Sequence, residues 1–322
     1  YNKRKGVKAM EDRFRLYHVV KLYYIDRLKQ AEIAEMMHLS VMSVSRLLKA
    51  AEENGLVSVE VHSPENLDHE MSLALKEKYP SMKESLVLSA RPDERTRVQL
   101  AAVAASYVQD LLTDRSVMGI SWGKTISMFA SQLRPSRAQN VQVIQLSGGF
   151  LYESNYLMMP SNIVQTASDK LRSQTLYLNM PMFISNLETK RQLLQDPLNR
   201  FVLDKAQQCS INVVGLSNLD AAPTMQKVGV LPEEDLEELK SVGAIGDIVG
   251  YFINDQGELV HWSKSELYGG ADLETIAAAP YVICLAMEPE KARVTHLALK
   301  KQYINTLITT RELALALLKQ ED

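Results

Sequence analysis

From residue 85 onward short apolar runs alternate with amphipathic stretches, and no other feature of the chain narrows its fold as far. The runs at 85–89, 116–120, 141–146, 175–179, 210–215, 247–253, 280–286 and 305–308 read as strands. Between them, 95–112, 124–133, 160–172, 197–208, 233–240, 272–277, 289–301 and 311–319 read as helices. Strands that are apolar throughout must be covered on both faces. The expectation is therefore an α/β domain with a mostly parallel sheet and helices on each side. The turn-forming Asn254-Asp255-Gln256-Gly257 predicts one antiparallel excursion.

The first 62 residues follow a different pattern, helical with short gaps. Residues 13–28 predict a helix with an apolar stripe of Phe14, Leu16, Val19, Val20, Tyr23 and Tyr24. A short helix at 30–37 and a longer one at 41–53 flank His38-Leu39-Ser40. Ser40 is suited to the N-cap and Gly55 to the C-terminal stop. Residues 56–61 alternate as a short strand, as in a winged helix-turn-helix. In a helix-turn-helix, a small residue and an apolar plug let two helices cross at a steep angle. Ala34 and Leu39 fit those roles, while Ile33, Met37, Val44, Leu47 and Leu48 supply the small core.

That assignment leaves Val41, Met42, Ser43, Ser45, Arg46 and Lys49 on or near the outer face, the reading face for a major groove. Gln30, opening the preceding helix, joins them as a DNA-binding candidate. Arg46 suits a bidentate contact to guanine or a phosphate clamp, Ser43 and Ser45 either target, and Lys49, Lys29 and Arg27 the backbone. A plain three-helix packing unit is the alternative. Charge favours DNA: residues 1–62 carry 11 basic and 8 acidic residues, net +3, and the remainder 25 and 31, net −6. The four basic residues of Tyr1–Met10 could also touch phosphate.

At 322 residues and 46% hydrophobic, the chain has material for a small domain and a larger one. Cys209 and Cys284 lie in apolar runs without CxxC spacing, so neither a disulfide nor a zinc site is expected. No cofactor, metal or catalytic group is called for. The absence of an 18-residue apolar span and of a signal peptide predicts a cytoplasmic protein without membrane contact. Residues 65–80 have helical period ending at Pro80. They read equally as a packing helix of the larger domain or as a linker helix pairing with another subunit.

Three loops that follow strands carry the residue types of a ligand site. Ser121-Trp122-Gly123-Lys124-Thr125 lies at a strand-to-helix junction. There glycine allows close approach, the helix N-terminus attracts an anion, and Ser121 and Thr125 add hydroxyls. The spacing of Gly119 and Gly123 is not that of a nucleotide-binding P-loop, and a tight turn with no ligand is the bland alternative. Ser147-Gly148-Gly149 and Gly215-Leu216-Ser217-Asn218 also follow strands, and in a parallel sheet such loops gather at one edge. Asp247 could accept from sugar hydroxyls, and Lys291 could pair with phosphate.

The chain resembles the SorC family of sugar-responsive bacterial transcription regulators. The resemblance is carried by Leu22-Tyr23-Tyr24, Gln30-Ala31-Glu32-Ile33-Ala34, Val44-Ser45-Arg46-Leu47-Leu48-Lys49 and Glu53-Asn54-Gly55-Leu56-Val57. In the larger part it continues through Gly119–Thr125, Gln145–Gly149, Gly243–Ile248 and Tyr303–Thr309. It implies a sugar-phosphate isomerase-like effector domain, a homodimer or homotetramer on double-stranded operator DNA, and a ligand pocket reached by Asp247 and Lys291. Together with the change of pattern along the chain, this gives an expected helix-turn-helix at 1–62, a linker helix at 63–84, and an effector and oligomerisation domain at 85–322. Three departures stand out: Val41 where the family often has a basic residue, Met287-Glu288 where a glycine pair is common, and Thr310 where aspartate is frequent. Operator and ligand are accordingly expected to differ from the family norm.

The expected function is a regulator of a carbohydrate-utilisation operon, its operator affinity controlled by a sugar or sugar phosphate. The alternative is a sugar-phosphate isomerase or hydrolase on the same scaffold. Against it, the loops are rich in Ser, Gly, Thr and Asn and poor in placed bases, and such an enzyme has no use for the N-terminal head.

Overall fold

In a computed structural model that describes residues 14–57, 66–150, 158–220 and 223–321, the chain divides into two units, Tyr1–His62 and Ser63–Asp322. In the first, a helix over 14–20 runs into a π-helical turn at Lys21–Ile25 and stops short of the expected residue 28. Arg27 adopts a left-handed φ of 59° there, which ends the helical path. Helices Gln30–Met36 and Val41–Glu53 follow. Glu32 accepts from the Lys29 amide at 2.6 Å, and Ser40 Oγ accepts from the Ser43 amide at 3.1 Å, so each helix start is capped. His38, at φ 53°, closes the turn between them. Val19, Val20, Leu22, Ile33, Ala34, Val44, Leu48 and Ala51 form a buried cluster. The strand expected at 56–61 falls mostly outside the described residues, and Leu56 and Val57 are not in a strand.

In the second unit ten strands occur among the described residues. They are β1 Glu84–Leu88, β2 Val117–Ile120, β3 Gln142–Gln145, β4 Gln174–Leu176, β5 Ile211–Val214, β6 Leu216–Asn218, β7 Gly246–Ile248, β8 Tyr251–Ile253, β9 Tyr281–Leu285 and β10 Thr306–Thr310. Seven form one sheet in the order β1-β10-β9-β5-β2-β3-β4, every neighbouring pair parallel. Large buried clusters cover its two faces. One includes residues of helices Glu94–Leu111, Lys124–Gln132 and Pro160–Leu171. The other includes residues of His69–Lys78, Ala292–Lys300 and Arg311–Leu318. Leu75 and Tyr79 are buried in the second cluster, so His69–Lys78, the helix of the connector stretch, packs as part of this unit.

Several features depart from the expected element list, among them the short helix Thr224–Lys227 and the 3-10 turn Ser265–Leu267, which were not expected. The run 247–253 is not one strand: β7 and β8 pair antiparallel with Ile248 opposite Tyr251, leaving Val249 and Gly250 as a two-residue turn. Both have positive φ, 57° and 100°, as a type I′ hairpin turn requires. A β-branched valine is a poor advertisement for such a turn, which is why the apolar run hid it. β6 joins them in a three-stranded antiparallel sheet, so the antiparallel excursion is larger than a hairpin at Asn254–Gly257. A further departure is helix Leu187–Gln195, which has no buried residue and only Leu187, Leu193 and Leu194 as apolar positions.

Candidate functional site

The chain leaves β2 towards β3 and leaves β5 towards β9, so the connections from these adjacent strands diverge. Such a switch point opens a crevice at the carboxyl ends of a parallel sheet. A cavity of about 460 Å³ lies there. One wall is Trp122–Ile126, where Gly123 at φ +129° turns the chain into helix Lys124–Gln132. Another is Gly215–Asn218 with Asp247 and Val249, and a third is formed by Glu288, Glu290 and Lys291. Met158, Met225 and Val228 add apolar surface, and Arg97 reaches in from helix Glu94–Leu111.

Charge in the cavity is closely coupled. Glu288 pairs with Arg97 at 2.8 Å and with Lys291 at 2.9 Å. Burial by itself would raise the Glu288 carboxyl, but the charges and hydrogen bonds of Lys291 and Arg97 outweigh it and hold the group at about 2. Arg97 also donates to Thr125 Oγ1 at 2.9 Å, and Lys124 pairs with Glu94 at 2.8 Å. Asp247 is buried and accepts from Ser217 Oγ and, at 2.9 Å, from the Gly250 amide. Burial pushes its carboxyl above the usual range, opposed by those hydrogen bonds and the charge of Lys291. Asn218 Nδ2 donates to Glu290 O at 2.8 Å, tying the antiparallel sheet to the turn that carries Lys291.

In the first unit, helix Val41–Glu53 buries Val44, Leu48 and Ala51 and exposes Val41, Met42, Ser45, Arg46 and Lys49. Met42 is 72% exposed and Val41 50%. Arg46 leans on Ser43 Oγ at 3.4 Å, Ser43 Oγ is 2.9 Å from Ser40 Oγ, and Lys49 lies 3.9 Å from Glu53. Ser43 and Gln30 are half-buried.

Residues 64–319 match the family described as "Putative sugar-binding domain", and residues 17–66 match the MarR family. The chain belongs to the SorC family of transcription regulators. It is 28% identical over 299 residues to the deoxyribonucleoside regulator of Bacillus subtilis (strain 168), covering 92% of this chain and 95% of that protein. Identity to the sorbitol operon regulator of Klebsiella pneumoniae is 27% over 307 residues, or 94% of this chain and 96% of that one. The crystal structure of the full-length sorbitol operon regulator SorC from Klebsiella pneumoniae superposes with a TM-score of 0.70 at 25% identity, covering 96% and 99% of the two chains.

With this SorC-family chain folded, the sequence-predicted ligand residues divide into two groups. Gly123, Lys124, Thr125, Asp247 and Lys291 line the cavity, as does the Gly215–Asn218 segment. Ser121 lies behind the wall, its Oγ accepting from the Gly215 amide at 3.2 Å. Ser147, Gly148 and Gly149 do not line it: the Gly148 amide donates to Gly269 O at 2.6 Å and the Gly149 amide to Met180 O at 2.8 Å. A Cβ on Gly148 would collide with the Pro181 carbonyl, so that glycine serves backbone packing. Met287 and Thr310 are likewise buried away from the lining, Thr310 Oγ1 donating to Met287 O at 2.7 Å. Of the three departures only Glu288 reaches the cavity. Arg97 and Lys227 were not singled out from the sequence. Arg97 carried a signal: it stands one turn into its helix, where the helix dipole disfavours a cation, so its presence there calls for a partner.

Proposed function

We propose that this chain is a DNA-binding transcription regulator of a carbohydrate-utilisation operon whose operator affinity is set by a sugar-type effector in the cavity at the carboxyl ends of β2, β5 and β9. The observation that carries this reading is a cavity edged by hydroxyls, amides and paired charges on the same chain as a capped helix-turn-helix. Arg46, Ser45, Ser43, Val41, Met42, Lys49 and Gln30 contact operator DNA. Gly123, Lys124, Thr125, Asp247 and Lys291 contact the effector. The effector acts by binding one of two pre-existing arrangements more tightly than the other, which shifts their populations. The chain works as a homodimer or homotetramer rather than as an enzyme: Arg97, Glu288, Lys291 and Asp247 of the cavity are held in ion pairs or hydrogen bonds, and no histidine is among its lining.

The test is an operator-binding titration at fixed salt, with and without a panel of sugars and sugar derivatives. One of them changes operator affinity, and Lys291→Ala blunts the change while leaving binding without effector near that of the unaltered protein. Operator affinity indifferent to every compound tested would sink the sensing half of the reading.

A further inference from the structure

The least exposed cations of the cavity already have an anion. Arg97 and Lys291, with side chains 14% and 22% exposed, both pair with Glu288. Arg97 at the same time donates to Thr125 Oγ1, so its guanidinium spans from the start of helix Lys124–Gln132 to the Glu288 carboxylate. An anion seated at that helix start would stand within one guanidinium's width of a fixed negative charge. The second carboxylate, Asp247, lines the same space, and its two hydrogen-bond donors, Ser217 Oγ and the Gly250 amide, are uncharged. Lys124 is paired with Glu94, and Lys227, also of the lining, is exposed to solvent.

Among the enclosed charges of the cavity, the carboxylates of Asp247 and Glu288 thus balance the cations of Arg97 and Lys291, while Lys124, Lys227 and Glu290 of the lining are exposed to solvent. A phosphate dianion would have to lie beside both carboxylates, or displace Glu288 and leave it without its partners, and either course is unfavourable. Hydroxyl groups meet no such obstacle. They donate to Asp247 and Glu288, accept from Asn218 and Thr125, and leave a C–H face for Trp122 and Met225.

We infer that the cavity takes an uncharged polyhydroxy compound, a sugar or polyol without phosphate, and that Glu288 is the specificity-determining residue that excludes phosphate esters. The inference rests on the sensing role proposed above and narrows it to one chemical class.

The experiment uses the full chain, by thermal unfolding and titration calorimetry. Its ligands are inorganic phosphate and matched pairs of free pentoses, hexoses and alditols with their monophosphates, at constant ionic strength. The unaltered protein is not stabilised by inorganic phosphate. At least one free compound raises its unfolding temperature and binds about tenfold or more tightly than its ester. Glu288→Gln keeps the shape and removes the charge: inorganic phosphate then stabilises the protein, and the preference for the free compound falls about tenfold or reverses. Glu288→Asp, which keeps the charge, retains the exclusion. An ester that binds the unaltered protein more tightly than its free parent overturns the inference and leaves the sensing role standing. So does a cooperatively unfolding Glu288→Gln protein with no gain for phosphate. Should that variant fail to fold, the comparison on the unaltered protein decides alone. Binding by neither class removes the sensing role and the inference together.

Discussion

Replacing Glu288 by glutamine should change stability in a way that depends on pH, and the dependence has a definite sign. The folded carboxyl is held at about 2 against an ordinary glutamate value of 4.5. At about 1.4 kcal/mol per pH unit, the difference makes its ionised form worth about 3 kcal/mol to the folded state. That figure is a ceiling, because the side chain is 28% exposed and solvent screens the pairs. A depressed folded value means the contribution is fully present above 4.5 and is lost as pH falls from 4.5 towards about 2. Glu288→Gln should therefore be less stable at neutral pH by about 1–3 kcal/mol, since Arg97 and Lys291 are left facing each other without a carboxylate. Urea unfolding of both proteins at neutral pH and at steps through the acid range measures this. The gap should be widest at neutral pH and close as pH approaches 2. A gap of constant size across that range, or none at neutral pH, would refute the clamp as an energetic feature.

Further outcomes can be checked independently. Arg46→Ala should weaken operator binding and make the dependence of log affinity on log salt shallower by about 0.9 if the lost contact is to phosphate; an unchanged slope and affinity in a gel-shift series would remove Arg46 from the interface. Gly123→Ala meets open space, its nearest neighbour atom being Ile126 Cγ1 at 4.0 Å, so its cost is the positive φ alone, about 1–3 kcal/mol in a denaturant melt. Asp247→Asn should lower effector affinity in calorimetry while leaving operator binding without effector intact, because Asp247 lines the cavity.

Local pattern carried much of the architecture. Ser40 at the cap, Leu39 in the turn and the period of Val44, Leu47 and Leu48 mark the helix-turn-helix. The glycine of Gly123-Lys124-Thr125 marks a helix start that has positive φ in the folded chain. What pattern concealed is equally specific. Val249 occupies a turn position that valine seldom takes, so the β7–β8 hairpin read as one strand. Ser147-Gly148-Gly149 looks like a ligand loop because close packing against backbone at Gly148 demands the same small residue as close approach of a ligand.

The periodicities, caps and turns depend on neighbours within a few residues, and these the amino-acid sequence determined unaided: a helix-turn-helix head, a parallel α/β body and the glycine-bearing helix start. Tertiary structure alone decided the strand order β1-β10-β9-β5-β2-β3-β4, and with it which loops share a cavity. It also decided that Glu288 meets Arg97 across 191 positions of chain, turning an expected anion site into a charge-balanced one. Contacts between such distant positions leave no periodic trace in one sequence, because they follow from the packing of whole layers rather than from local conformation.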